Sequence, residues 1–87
     1  VRISYLTMHK SILPPLKALP AFREVAIQKS FSTAADQLCV THSAVSQQIR
    51  LLETCVNVIL FERRQGKPIE LTPVGKRYFD VVTKIYY

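Results

Sequence analysis

The chain has 87 residues, of which 48% are hydrophobic, and its twelve Lys and Arg against six Asp and Glu give a net charge of +6. This composition favours one small folded domain over a disordered chain, and the charge favours a polyanionic partner: DNA, RNA or an anionic membrane. No apolar run reaches the roughly 18 residues of a membrane-spanning helix, and the first thirteen residues lack a signal-peptide core. We therefore expect a soluble, cytoplasmic protein.

The chain opens with a leader, residues 1–15, which we expect to be extended because it has no periodic pattern and ends in two prolines. Apolar residues at helical spacing then predict a first helix from about Leu16 to Lys29. Its regular part should begin near Leu19, since Pro20 is tolerated only in a first turn. The residues expected to face inward are Leu19, Phe22, Val25 and Ala26.

A short second helix is expected from Thr33 to about Leu38, with Ser32 as its N-cap. Cys39 and Val40 then form a tight turn. A third helix should follow, with Thr41 as its N-cap.

This third helix ends near Val56, followed by Asn57 in the left-handed conformation. Two different sides are predicted for it. Its apolar side should face the core and consists of Val45, Ile49, Leu52 and Val56. The opposite side consists of Ser43, Gln47, Arg50 and Thr54, with Ser46 at its flank. Short hydroxyls and amides around one arginine suit base edges and phosphate oxygens in a DNA major groove.

The β-branched and aromatic run Val58–Glu62 predicts a strand, and the alternating run Ile69–Leu71 predicts a second. Between them lies a basic turn, so the two strands form a hairpin with cations at its tip. Thr72 should cap, and Pro73 should open, a last helix over residues 73–87.

The last helix carries more apolar surface than a lone surface helix needs. A heptad-like repeat along it predicts a dimer interface with a second copy of the same helix. The residues of this repeat are Val74, Tyr78, Val81 and Ile85.

The order of three helices, a basic hairpin and a long helix predicts a mainly α fold, the winged helix-turn-helix. It has a three-helix core plus a short β-hairpin wing, followed by a long C-terminal linker helix. The third helix would enter the major groove of double-stranded DNA. There Gln47 suits adenine, because its amide both donates and accepts, and Arg50 suits phosphate. The candidate DNA-binding residues are Thr41, His42, Ser43, Ser46, Gln47, Arg50, Arg63, Arg64 and Lys67.

Simpler roles stay open for some of these residues. Thr41 could be only an N-cap, Ser43 and Ser46 only small surface residues, and the cations of the wing only a solvated loop. His42 is ambiguous, because the helix N-terminus disfavours its protonation whereas a phosphate would favour it.

The sequence offers no catalytic constellation. It contains no Gly-rich phosphate loop, no paired carboxylates and no nucleophile–base spacing. Cys39 and Cys55 form no C-x-x-C pair, so we expect buried or partly buried reduced thiols, with a redox switch as the alternative. His9 and His42 are isolated, so no metal site is expected. We expect no enzyme, cofactor or small-molecule ligand in this segment.

Three segments together resemble the N-terminal DNA-binding domain of the LysR-type transcriptional regulators. They are LKALPAFREVA, SFSTAADQLCVTHSAVSQQIRLLE and LFERRQGKPIELTPVG. The resemblance covers about Leu16 to Val82 and is greatest to the branch of β-lactamase and glycine-cleavage regulators. It implies a DNA-binding domain over residues 16–72, a truncated linker and dimerisation helix over 73–87, and a larger effector domain absent from this sequence.

The same resemblance implies a bacterial, nucleoid-associated regulator that binds a partly palindromic operator as a homodimer, or as a tetramer with an effector domain. Carried over by position, it places DNA contacts on His42, Ser43, Ser46, Gln47, Arg50, Arg63 and Arg64. His42 stands where the family usually has glutamine, and Asn57 where it usually has glycine. Charged residues are common at the positions of Cys55 and Ile59.

Two other functions remain as alternatives. One is the DNA-binding end of a recombinase, against which the lack of an acidic catalytic set argues. The other is a truncated protein-interaction module that pairs with full-length regulators through its last helix.

Overall fold

The computed structural model describes residues 18–86, within which the chain forms four helices and a two-stranded antiparallel sheet. The predicted mainly α, winged helix-turn-helix fold with a long C-terminal helix is confirmed. The leader, residues 1–15, and the expected helix start at Leu16 lie outside the described residues. In chain order the elements are α1 (Ala18–Gln28), α2 (Phe31–Leu38), α3 (His42–Val56), β1 (Phe61–Glu62), β2 (Glu70–Leu71) and α4 (Pro73–Tyr86).

The core forms where α1, α2 and α3 pack together and is closed by β1 and α4. Phe22 of α1 is fully buried at its centre. The Phe22 ring lies 5.4 Å from the Phe61 ring and 5.3 Å from the Tyr78 ring, in tilted and edge-on geometries that aromatic pairs favour. The predicted apolar side of α3 is confirmed: Val45, Ile49 and Leu52 are buried, and Val56 is half-buried.

The helix α2 begins two residues earlier than predicted. Ser30, not Ser32, is its N-cap: the backbone is extended at Ser30, and its Oγ accepts a hydrogen bond from Thr33 N at 3.1 Å. Phe31, which lies before the predicted helix, occupies the first helical position, where its half-buried ring packs against Phe61.

Three helices end on a non-glycine residue with left-handed backbone. Lys29, Cys39 and Asn57 have φ angles of 56°, 58° and 61°. The prediction for Asn57 is confirmed, and its N–H donates to Glu53 O. Lys29 therefore follows the first helix instead of lying within it. The expectation of buried or partly buried thiols is wrong for Cys39, which this turn exposes, whereas Cys55 is half-buried; neither cysteine forms a disulfide.

The two strands of the wing are shorter than predicted. Only Phe61–Glu62 and Glu70–Leu71 pair, with Phe61 opposite Leu71 and Glu62 opposite Glu70. Val58 and Ile59 lie outside the sheet, and Ile59 is 65% exposed. Ile69, the residue of the predicted second strand that does not pair, donates its N–H to Lys29 O at 3.3 Å. Backbone groups next to the sheet thus bond to the helical core.

The helix α4 begins at Pro73, as predicted, and Thr72 caps it by accepting a hydrogen bond from Gly75 N at 2.9 Å. Gly75 is buried, and a Cβ there would overlap the carbonyl oxygen of Leu60.

Tyr78 faces Phe22, so the predicted heptad repeat is not a single exposed strip. Val74 and Val81 are 46% and 51% exposed; we call these two residues the outer side of α4. The side chain of Ile85 lies outside the described part of the structure.

Candidate nucleic-acid interface

The side of α3 opposite the core is open to solvent. Ser43, Gln47, Arg50 and Thr54 are all exposed, and Ser46 at the flank is half-buried. We call the four exposed residues the outer face of α3. Their exposure follows from the burial of Val45, Ile49 and Leu52 on the other side of the same helix. A helix of about 10–12 Å diameter with such a face fits a B-DNA major groove, which is about 12 Å wide.

The N-terminus of α3 adds groups suited to an anion. Thr41 Oγ1 accepts a hydrogen bond from Ala44 N at 3.1 Å, so its predicted role as an N-cap is confirmed. First-turn N–H groups of a helix lack intrahelical acceptors and favour a phosphate. His42 is exposed, and its ring packs edge-on to Phe31 at 5.7 Å.

The wing presents cations in different surroundings. Arg64 is 69% exposed and lies 3.5 Å from Glu62. Lys67 is exposed beside Gly66, whose φ of 76° turns the chain at the tip. Arg63 is 41% exposed, and its guanidinium has partners within the protein.

Those partners are a carboxylate and an aromatic ring. Arg63 Nη2 lies 3.7 Å from Glu53 Oε1, and the guanidinium carbon lies 4.8 Å from the centroid of the Phe31 ring, within cation–π distance. Neither contact could be predicted from the sequence, in which Arg63 is one of several basic residues of the wing.

Glu53 joins the end of α3 to the wing. Its Oε2 accepts hydrogen bonds from Leu60 N at 2.8 Å and from Phe61 N at 3.3 Å. Sequence reasoning missed both Glu53 and Phe31. A signal existed for Glu53, since it is the single acidic residue of α3 in a strongly basic chain. Phe31 carried no signal, because its neighbours come from two distant segments: His42 at the start of α3, and Phe61 and Arg63 at the start of the wing.

The described residues contain no group of three His, Cys, Asp or Glu side chains placed to hold a metal ion. Across residues 18–86, no helix is both long and apolar enough to cross a membrane.

The geometry defines a winged helix-turn-helix with an open polar helix face beside a basic wing. Residues 16–76 match the family described as "Bacterial regulatory helix-turn-helix protein, lysR family". The chain therefore belongs to the LysR family.

Similarity to individual relatives agrees with this membership. The chain is 49% identical over 73 residues to the glycine cleavage system transcriptional activator homolog of Haemophilus influenzae, covering 84% of this chain and 24% of that protein. It is 44% identical over 72 residues to the HTH-type transcriptional activator AmpR of Citrobacter koseri, covering 83% and 25%. The chain thus spans about a quarter of the length of these relatives.

Solved structures with the same fold include complexes with DNA. The BenM DBD in complex with benA site 1 DNA has a TM-score of 0.77 and 34% identity, over 82% of this chain and 79% of that one. Vibrio fischeri DarR in complex with DNA has a TM-score of 0.74 and 43% identity, over 79% of this chain and 23% of that one.

Proposed function

We propose that this chain is the sequence-specific DNA-binding part of a bacterial transcription regulator and not an enzyme. The observation that carries the proposal is the outer face of α3: one side of the helix is buried and the other is exposed, polar and free of acidic residues. Family membership and the DNA complexes of similar domains support it. The protein would act in the bacterial cytoplasm, where its DNA lies.

In this proposal α3 enters the major groove and the wing lies against the backbone or the adjacent minor groove. Gln47 contacts a base edge, since its amide matches the donor and acceptor pair of adenine. Arg50, one turn further along, contacts phosphate. The other proposed contacts are Thr41, His42, Ser43 and Ser46 on or before α3, and Arg64 and Lys67 on the wing, where Arg63 also lies but is paired with Glu53.

The chain would bind as a homodimer to a partly palindromic operator, with tetramers forming where an effector domain is attached. The outer side of α4, Val74 and Val81, supports this because two exposed valines on one helix favour burial against a partner. Tyr78 contributes less than expected to such an interface, since it already packs on Phe22.

The test is replacement of Gln47 by alanine. Gln47→Ala should cost about 1–3 kcal/mol on the preferred DNA site and reduce the preference for that site over random DNA. The site would be selected from a random operator library, and affinities measured by fluorescence anisotropy at several salt concentrations.

Gln48→Ala is the matched control, because Gln48 is the next residue on α3 but is half-buried and lies off the outer face. It should leave the preference unchanged. Equal weakening of preferred and random DNA by Gln47→Ala would contradict direct base contact, and no DNA binding by the unaltered chain would contradict the function.

A further inference from the structure

We propose that Glu53 and Arg63 are positioning residues, which hold the wing against α3 so that Arg64 and Lys67 reach the DNA backbone. The inference rests on the proposed function and assigns Arg63 a role inside the protein instead of at phosphate. It is carried by the contacts between these two side chains, Phe31 and the backbone at the start of the wing.

Both oxygens of the Glu53 carboxylate have partners, and its side chain is only 12% exposed. Oε2 accepts from the backbone of Leu60 and Phe61, and Oε1 faces Arg63. The carboxylate thus fixes three consecutive parts of the chain: the last turn of α3, the entry to β1, and the first wing residue after β1.

The guanidinium of Arg63 lies between Glu53 and the Phe31 ring. The same ring contacts His42, the first residue of α3, and Phe61 of β1. We call Phe31, His42, Glu53, Phe61 and Arg63 the Phe31 cluster. It connects both ends of α3 to the base of the wing.

The wing needs such support because its sheet has only two residue pairs. An isolated two-stranded hairpin is marginally stable. On one side Ile69 N donates to Lys29 O, and Thr72 N donates to Leu60 O. On the other side, the Phe31 cluster connects the wing to the helical core. This side of the wing lies next to the proposed DNA-binding surface.

For Glu53→Gln, a positioning role and simple electrostatics predict opposite changes in DNA affinity. Glu53→Gln removes one negative charge from a DNA-binding domain, which by charge alone should strengthen binding. Because the glutamine cannot form the ion pair with Arg63, we expect DNA affinity instead to fall about threefold to tenfold, as for the loss of a phosphate contact.

Glu62→Gln provides the matched control. It removes the same charge from the neighbouring ion pair with Arg64, but Glu62 is 43% exposed and lies outside the Phe31 cluster. We expect it to leave DNA affinity unchanged or slightly raised.

Arg63→Lys is the second variant, and it avoids any risk that a change at Glu53 prevents folding, since Arg63 is substantially exposed. Lysine keeps the charge but loses the planar group that stacks on Phe31. A positioning role predicts weaker DNA binding, whereas a plain phosphate contact predicts little change.

The decisive measurement is DNA affinity in a double-mutant cycle that combines Arg64→Ala with Glu53→Gln or Arg63→Lys. Thermal unfolding of each variant is measured in parallel. We expect Arg64→Ala to reduce the salt dependence of binding in the unaltered chain and to have much less effect in the Glu53→Gln and Arg63→Lys backgrounds. If the effects of Arg64→Ala and of the other substitution on DNA affinity simply add, or if Glu53→Gln binds DNA more strongly, the inference is overturned but the proposed function is not. If the unaltered chain does not bind DNA, both are overturned.

Discussion

Arg64 is the more exposed of the two wing arginines and pairs with Glu62 at 3.5 Å. Surface ion pairs of this kind contribute little to stability, so the Arg64 side chain is available to a phosphate. Arg64→Ala should therefore weaken binding to preferred and random DNA alike. It should also reduce the slope of log affinity against log salt by about one.

Titration of both DNAs across a range of salt concentrations measures this change. Gln65→Ala, an uncharged substitution at the next exposed position, is the control and should leave the slope unchanged. A loss confined to the preferred DNA would mean that Arg64 contacts a base edge.

Single residues show where sequence patterns stop being informative. The N-cap at Thr41 and the left-handed Asn57 could be predicted, because capping and C-terminal turns depend on neighbours within four residues. Arg63 and Arg64 could not be distinguished, because the partner of Arg63 lies ten residues earlier on another element. Only packing of the wing against α3 separates the two arginines.

At the scale of elements, α4 depends on a close contact with the loop before β1. Glycine in a helix normally destabilises it by about 1 kcal/mol relative to alanine. At Gly75 we expect the reverse, since an added Cβ would meet the Leu60 carbonyl. Gly75→Ala should lower the free energy of unfolding by about 1–3 kcal/mol, as for overpacking.

Urea unfolding followed by circular dichroism tests this prediction. Asp80→Ala, at an exposed position of the same helix, is the control and should change stability by no more than about 0.5 kcal/mol. A stabilising effect of Gly75→Ala would show that α4 does not need the close approach.

The helices and the wing differed in how well the sequence predicted them. Helix α3 followed from its apolar periodicity, since one side of it packs on the core along its whole length. The strands were predicted too long, because β-branched composition does not reveal which backbone groups bond elsewhere. The N–H groups of Leu60 and Ile69 bond to Glu53 and to Lys29 O, so pairing stops at two residues per strand.

At the scale of the whole molecule, two copies of the chain are expected to associate through the outer side of α4. Val81 is 51% exposed, so Val81→Asp should leave the fold stable. In a symmetric dimer it would place two carboxylates against apolar surface, and we expect the dimer dissociation constant to rise at least about tenfold. DNA binding to paired half-sites should weaken with it.

Sedimentation equilibrium of the chain measures the dissociation constant. Val81→Leu, which keeps the side chain apolar, is the control and should preserve the dimer. An unchanged dimer with Val81→Asp would place the interface elsewhere.

The close packing of Gly75 on Leu60 also fixes the direction in which α4 leaves the domain. With so little space between backbone atoms, the helix cannot pivot without separating from the core. Two copies joined through α4 would consequently hold their α3 helices at one separation and one relative angle. Since successive major grooves on one side of B-DNA recur every 10–10.5 base pairs, the pair would tolerate spacers that differ by whole helical turns of DNA far better than those that differ by half a turn.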